Sequence, residues 1–221
     1  MRKITLLATF LILTTFAQAQ ALKKGDFFIN PGLGFGVERT QTNIANDTTE
    51  GAVPGLLNFT AGYMISEKFG LQLRFERNGY ISDPKDPIQA VTGNFLIGAN
   101  YNFINNPNYA MHVGILLGGS SLAFTPSDEQ SVKNDVKITS GGSAFQLNVG
   151  GNAYFSQHLG LFYEIGYAAR KYSKITIYDK SASPQEQEWI DDKGTISTND
   201  DQSIEVDISG IDIRVGLAIR F

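Results

Sequence analysis

The last ten residues, Asp212 to Phe221, alternate without a break: Ile213, Val215, Leu217, Ile219 and Phe221 are apolar, and those between them are charged or small. Residues two apart share a face of a β-strand, so this run builds one apolar face and one polar face. Seven earlier segments keep the same odd-numbered phase. The first spans about Asp26 to Thr40, the second about Gly55 to Ser66 and the third about Lys68 to Tyr80. The fourth carries Val91, Phe95, Ile97, Ala99, Tyr101 and Phe103, and the fifth Tyr109, Met111, Val113, Ile115 and Leu117. The sixth carries Phe145, Leu147, Val149, Ala153 and Phe155, and the seventh Leu159, Leu161, Tyr163, Ile165, Tyr167 and Ala169. Apolar residues recur every second position, not every third or fourth, which excludes amphipathic helices. Segments of about ten residues match tilted strands that cross a bilayer.

The connections alternate in length. Ser66-Glu67-Lys68, Ile104 to Asn108 and Ser156-Gln157-His158 are short turns, whereas Gln41 to Pro54, Ile81 to Ala90, Ser120 to Gly142 and Tyr172 to Ser209 are long and polar. An even-stranded membrane barrel with short periplasmic turns and long extracellular loops has this layout. A soluble lipocalin-like barrel would instead turn its apolar face inward. Three patterns favour lipid outside. Aromatics of the apolar face gather near the predicted periplasmic ends: Phe27, Tyr63, Phe69, Tyr101, Phe103, Tyr109, Phe155 and Phe221, the makings of an interfacial girdle. Charges such as Arg74, Glu164 and Arg214 sit mid-strand on the other face. Arg39, Arg77 and Lys171 share the apolar phase only at the external ends, where anionic headgroups lie. The expectation is an all-β fold: an eight-stranded antiparallel up-and-down transmembrane β-barrel with both termini in the periplasm.

Met1-Arg2-Lys3 followed by apolar Ile4 to Phe16 and Ala17-Gln18-Ala19 reads as a secretory signal peptide over residues 1–19. The barrel domain is then 20–221. Losing Arg2 and Lys3 from 18 basic residues leaves 16 against 22 acidic ones, a net charge near −6. That balance excludes a nucleic-acid partner. The chain has no cysteine, so neither disulfides nor thiolate sites contribute.

These features resemble the small eight-stranded outer-membrane barrels of the OmpX and OmpA transmembrane type, and more narrowly the outer membrane protein β-barrel domain family abundant in Bacteroidetes. The resemblance rests on Ala17-Gln18-Ala19-Gln20, on the turn-strand unit Ser66-Glu67-Lys68-Phe69-Gly70-Leu71, and on its counterpart Ser156-Gln157-His158-Leu159-Gly160-Leu161 followed by Tyr163-Glu164-Ile165-Gly166-Tyr167. It implies residence in the outer membrane of a Gram-negative bacterium, with Phe221 as the signal presented to the barrel-assembly machinery. It implies no particular activity, since the fold hosts many.

Candidate chemistry is sparse. Inward-phase charges are nearly balanced, Glu38, Glu76, Glu164 and Asp212 against Arg74, Arg170, Arg214 and Arg220. Confinement requires them to pair, so a lumen-filling salt-bridge network is expected, with a gated proton or ion path as the alternative. Arg170 and Asp212, on the last two strands near the external rim, are expected to be close. His112, on the inward phase, could pair with Asn94 or Asn148. It lacks a nucleophile signature and reads as a packed lumen histidine; His158 falls in a short turn. Gly32, Gly34 and Gly36 alternate within a strand with no helix after them, which rules out a dinucleotide fingerprint. The acidic 172–209 loop holds Trp189 as a surface contact for an extracellular protein partner. Its aspartates lack the spacing of a calcium loop, and no cofactor is expected. Apolar residues shift from odd to even positions near Ser209-Gly210, which predicts a β-bulge and a protruding hairpin of the last two strands. The expected role is non-enzymatic, structural or surface-interacting, with outer-membrane lipid and lipopolysaccharide as neighbours. A narrow channel or secretion-system accessory barrel is the alternative, and a lipid-active enzyme stands last.

Overall fold

The computed structural model describes residues 21–42, 49–81, 89–125, 136–179 and 205–221. The strands are β1 (Phe27–Thr42), β2 (Thr49–Ala52), β3 (Gly55–Met64), β4 (Phe69–Ile81), β5 (Gln89–Asn106), β6 (Tyr109–Thr125), β7 (Val136–Tyr154), β8 (Leu159–Asp179) and β9 (Val206–Arg220). All neighbours run antiparallel, and β9 returns to pair with β1, closing the sheet on itself. β2 and β3 form one stave, because both meet β1 in a single register, with Ala52 opposite Glu38 and Gly55 opposite Phe35. Pro54 divides them. It accepts a hydrogen bond from the Gly36 N–H at 3.1 Å but has no N–H to donate in return. The wall is therefore eight staves around.

Closure is staggered. From Phe27 the register passes through Tyr63, Leu71, Ala99, Ile115, Leu147, Tyr167 and Ile211, and reaches β1 again at Val37. A belt that starts at residue 27 and returns at residue 37 needs steeply tilted strands, which leave an interior just wide enough for side chains. Phe221 takes part in the closure: its N–H donates to the Phe27 carbonyl at 2.8 Å, and the Phe27 N–H donates to the Phe221 carbonyl at 3.3 Å.

The molecule is inside out. Val37 and Leu33 are 65% and 64% exposed, while Arg74 is 2% exposed and Asp212 is fully buried. Water would not tolerate an outer wall of Leu, Val, Ile and Phe around a charged interior, so the lipocalin-like alternative fails. The girdle aromatics all fall at the end that holds the start of β1, Phe221 and the short turns, which is the turn end. There Phe27 meets Phe221 and Phe69 meets Tyr101, with ring centroids 6.2 Å and 5.0 Å apart.

Several boundaries differ from the sequence expectation. Strands run well past ten residues at the opposite, loop end: β6 reaches Thr125, β7 starts at Val136 and β8 extends to Asp179. The Gly- and Ser-rich stretches assigned to loops remain strands because a neighbouring ladder supplies their hydrogen bonds, whatever their side-chain pattern. No bulge interrupts β9 at Ser209-Gly210, where the registers with β1 and β8 are unbroken. The even positions stay inward, and their character changes from charged to apolar. Irregularities occur instead at Phe103 in β5, between Asn102 and Ile104, and opposite Gly141-Gly142, where Ser173 of β8 is the extra residue. Above Tyr172, β8 is paired with β7, so that pair supplies the described projection.

The segment before β1 folds back beneath the barrel. Gly25, at φ 98°, makes the turn and donates to the Met64 carbonyl at 2.8 Å. Asn105 grips Leu22 from both sides, accepting from its N–H at 2.9 Å and donating to its carbonyl at 2.8 Å. Leu22 is thereby buried with Phe28, Met64, Ala110, Tyr154, Phe162 and Ala218, an apolar plug across the turn end. The plug depends on Gly62, where an added Cβ would fall 2.1 Å from the Phe28 ring. Gly62→Val should therefore destabilise the folded barrel by about 1–3 kcal/mol through overpacking, read as a lower urea midpoint in vesicles. Adding Phe28→Ala should recover part of that loss by making room for the new side chain.

Candidate functional site

The polar phase of the strands delivers three arginines and four carboxylates to the middle of the lumen, where they form one continuous network along its axis. β4 supplies Arg74 and Glu76, β8 supplies Glu164 and Arg170, β9 supplies Asp212 and Arg214, and β1 supplies Glu38. All seven are buried. Arg74 grips Glu164 with both terminal nitrogens, at 2.7 and 2.8 Å, while its Nε donates to Thr60 at 2.9 Å. Arg214 bridges three carboxylates: Glu76 at 2.6 Å, Asp212 at 2.9 Å and Glu164 at 3.2 Å. Arg170 reaches Glu38 at 2.9 Å and Glu76 at 3.2 Å, and lies 3.8 Å from Asp212. Gln146 ties the two halves together, donating to Glu76 at 2.9 Å and accepting from Arg74 at 3.0 Å. Bidentate guanidinium–carboxylate pairs of this kind are the strong form of the interaction. They are needed to offset the desolvation of seven charges.

Arg220, grouped with the others by phase, lies elsewhere. It is six residues beyond Arg214 along β9, which at about 3.3 Å per residue puts it some 20 Å away along the strand. There it donates to the Gln157 carbonyl at 2.7 Å and covers the Tyr154 ring at 4.5 Å. His158 joins the same turn, with Nδ1 2.9 Å from the Arg220 carbonyl. His112 faces Glu164, with Nε2 3.8 Å from Oε2. Trp189 and the acidic stretch from Glu186 to Asp201 lie outside the described residues. Of that loop, Glu205 is described and meets Lys171 at 2.7 Å on the surface.

The ion network lies within a layered filling. Toward the turn end the buried inward residues are amides: Asn30, Gln72, Asn100, Asn148 and Asn152. Toward the loop end, Leu122, Tyr172, Val206 and Ile208 form a second apolar plug, with Tyr80 and Phe124 against it. The two tyrosines join plug to network: Tyr80 donates to Glu38 at 2.6 Å, and the Tyr172 hydroxyl meets Ser120 at 2.6 Å. Sequence reasoning missed both plugs. The one available signal was the run Val206 and Ile208, whose even phase places them inside once β9 is continuous.

Comparison with known proteins places this architecture. The family model for the outer membrane protein β-barrel domain matches residues 7–221. The chain belongs to that family. As an outer membrane β-barrel domain, it is similar to solved barrels at low identity. The outer membrane protein OprG from Pseudomonas aeruginosa has TM-score 0.51 and 17% identity, over 92% of this chain and 99% of its own. Neisserial surface protein A gives 0.47 and 12%, over 87% and 99%. Ail, the attachment invasion locus protein of Yersinia pestis, gives 0.46 and 12%, over 90% and 99%. The first of these likenesses speaks for the fold alone. No curated protein matches the chain.

The network predicts a strongly coupled double-mutant cycle. Glu164→Leu alone strands Arg74 and should cost about 3–5 kcal/mol, the scale for an uncompensated buried charge. Arg74→Met with Glu164→Leu should cost much less than the two single changes added together. Unfolding free energies of the four proteins in lipid vesicles test this, and additive costs would show that the pair is not coupled.

Proposed function

We propose that this barrel is a sealed, non-enzymatic outer-membrane protein that acts through its loop end, with both termini in the periplasm. The filling of the lumen carries this reading. A solute moving through would have to pass Val206 and Ile208, part Arg170 and Arg214 from their carboxylates, and then pass Phe28 and Met64. Separating buried ion pairs is expensive, so the layered filling opposes a channel. The orientation is supported by the short connections gathered at one end, since barrels of this kind place short turns in the periplasm. His112 sits beside a carboxylate already held by two arginines, which suits charge balance and not activation of a nucleophile. What remains available for interaction is the loop end, where β7 and β8 continue to Val136 and Asp179 and the chain returns through residues 180–204. That connection, with Trp189, is the surface assigned to an extracellular protein partner, while Phe221 at the closing seam is assigned to the assembly machinery.

Planar-bilayer recording should give no steady conductance from the purified barrel; open-channel current would overturn the sealed reading. Proteins recovered with the intact barrel, compared with those recovered after deletion of Lys180 to Gln202, address the loop end. A partner lost on deletion, while the barrel keeps its folded gel mobility, is the expected result. An unchanged set of partners would reject it.

A further inference from the structure

The outer wall carries a groove of about 800 Å³ that runs from Pro31 and Gly32 of β1 across β3 to β6. Its floor is bare backbone, because the outward residues of β5 and β6 at this point are Gly93 and Gly119. Phe75 and Phe95, with rings 4.9 Å apart, bound it on the turn-end side. Arg77 and Ser121 flank Gly93 in direct register, one on each neighbouring strand. Above Arg77 on β4 the outward residue is Gly79, around whose Cβ position nothing lies within 4 Å, so the arginine has room to extend toward the loop end.

The fold does not itself require glycine here. At Gly98 and Gly118 an added Cβ would strike backbone oxygens at 1.9 and 2.0 Å, so the barrel imposes glycine at those points. At Gly119 the nearest atom would be 4.0 Å away, and at Gly93 the nearest is the Ser121 hydroxyl at 3.1 Å, a rotatable group that donates to the Gly93 carbonyl at 3.3 Å. The wall would accept larger residues at both positions. Their smallness shapes the outer surface.

The depth of Arg77 matters as well. It stands eight residues along β4 from Phe69, which packs against Tyr101 in the turn-end girdle. With about 3.3 Å per residue and a tilt of roughly 40°, that is about 20 Å along the barrel axis. An apolar band about 25 Å tall would put it just inside the far interface. Among the described residues Arg77 forms no ion pair, and an arginine at that depth calls for an anion or a path to the headgroups. What covers a groove inside a membrane is lipid.

We propose that this groove binds a membrane lipid bearing a phosphate headgroup. One acyl chain lies over Gly93 and Gly119 against Phe75 and Phe95, and the phosphate sits on the Arg77 guanidinium and the Ser121 hydroxyl. A guanidinium suits phosphate because its planar fork donates two hydrogen bonds at once. The acyl portion gains the contacts that a side-chain-free floor would otherwise lack.

The test uses the barrel in detergent micelles, titrated with phosphatidylglycerol and with phosphatidylcholine of identical chains, and followed by native mass spectrometry and by the amide signals of Gly93 and Gly119. Phosphatidylglycerol should be retained about fivefold more strongly, the scale of one basic residue at an anionic surface. Arg77→Gln should remove that preference, whereas Arg39→Gln, outside the groove, should leave it. Gly119→Leu should weaken retention of both lipids without altering the folded gel mobility, which keeps the proposal testable if Arg77→Gln fails to assemble. A preference that survives Arg77→Gln, or lipid shifts that spare Gly93 and Gly119, would overturn it. So would efficient disulfide-linked dimers of Gly119→Cys in vesicles, which would assign the groove to a second copy of the barrel.

Discussion

A backbone N–H facing hydrocarbon has no water to bond, so a chain that crosses a membrane as strands must pair its first stave with its last. In this protein the seam is β1 against β9, and its lowest rungs join Phe27 to Phe221. Much else follows from making that seam. Returning to β1 ten residues further on tilts every strand and sets how narrow the lumen is. A narrow lumen must be filled by the inward side chains themselves. Because the outward phase is committed to Leu, Val, Ile and Phe, the filling falls to the other phase, which carries amides, guanidiniums and carboxylates.

That allocation turns the usual core inside out and changes what holds it together. A soluble domain packs apolar side chains at its centre; here three arginines and four carboxylates occupy that place, with Arg170 and Arg214 each touching more than one acid and Arg74 gripping Glu164 with both terminal nitrogens. Such a centre contributes little through desolvation, which opposes it, and much through specificity, since a displaced partner leaves a bare charge. The apolar plugs above and below keep water from relieving that demand. Leu22 and its neighbours close one end, and Tyr172, Val206 and Ile208 close the other. The plug tyrosines serve both layers, with rings among apolar neighbours and hydroxyls on Glu38 and Ser120. With the interior occupied, the surfaces left for interaction are the outer wall and the loop end.

The strand pattern was legible because alternation is a local property. Phe27, Leu71 or Ile213 declares its face by its neighbours in sequence alone. The composition of the ion network was legible for the same reason, since phase assigns each charge to the lumen. Which charge meets which was not. Arg170 and Asp212, near one rim of adjacent strands, are close as the phase implies, at 3.8 Å, but the tighter partner of Arg170 is Glu38, across the β1–β9 seam, which adjacency in sequence order does not indicate. Arg220 shares the phase of the other arginines, but its place at the end of β9 gives it the Gln157 carbonyl and the Tyr154 ring as partners, apart from the network. The change from odd to even apolar residues near Ser209 is equally instructive. Read locally it implies an inserted residue. In the folded barrel the backbone continues unbroken, and what changes is the medium inside, from ion layer to apolar plug. The fold-back of Leu22 left no periodic trace, because one turn and one asparagine clamp make no pattern.

What the sequence by itself determined was the alternation, the phase and the order of short and long connections, which together specify an eight-stave barrel and its lipid-facing side. Those properties depend on residues a few positions apart and on the hydrogen-bonding demands of any strand. Tertiary structure decided the stagger of closure, the partners within the ion network, the two plugs and the groove beside Arg77. Each of these joins residues from strands distant in the chain, and such pairs are set by register around a closed wall, which no local pattern encodes.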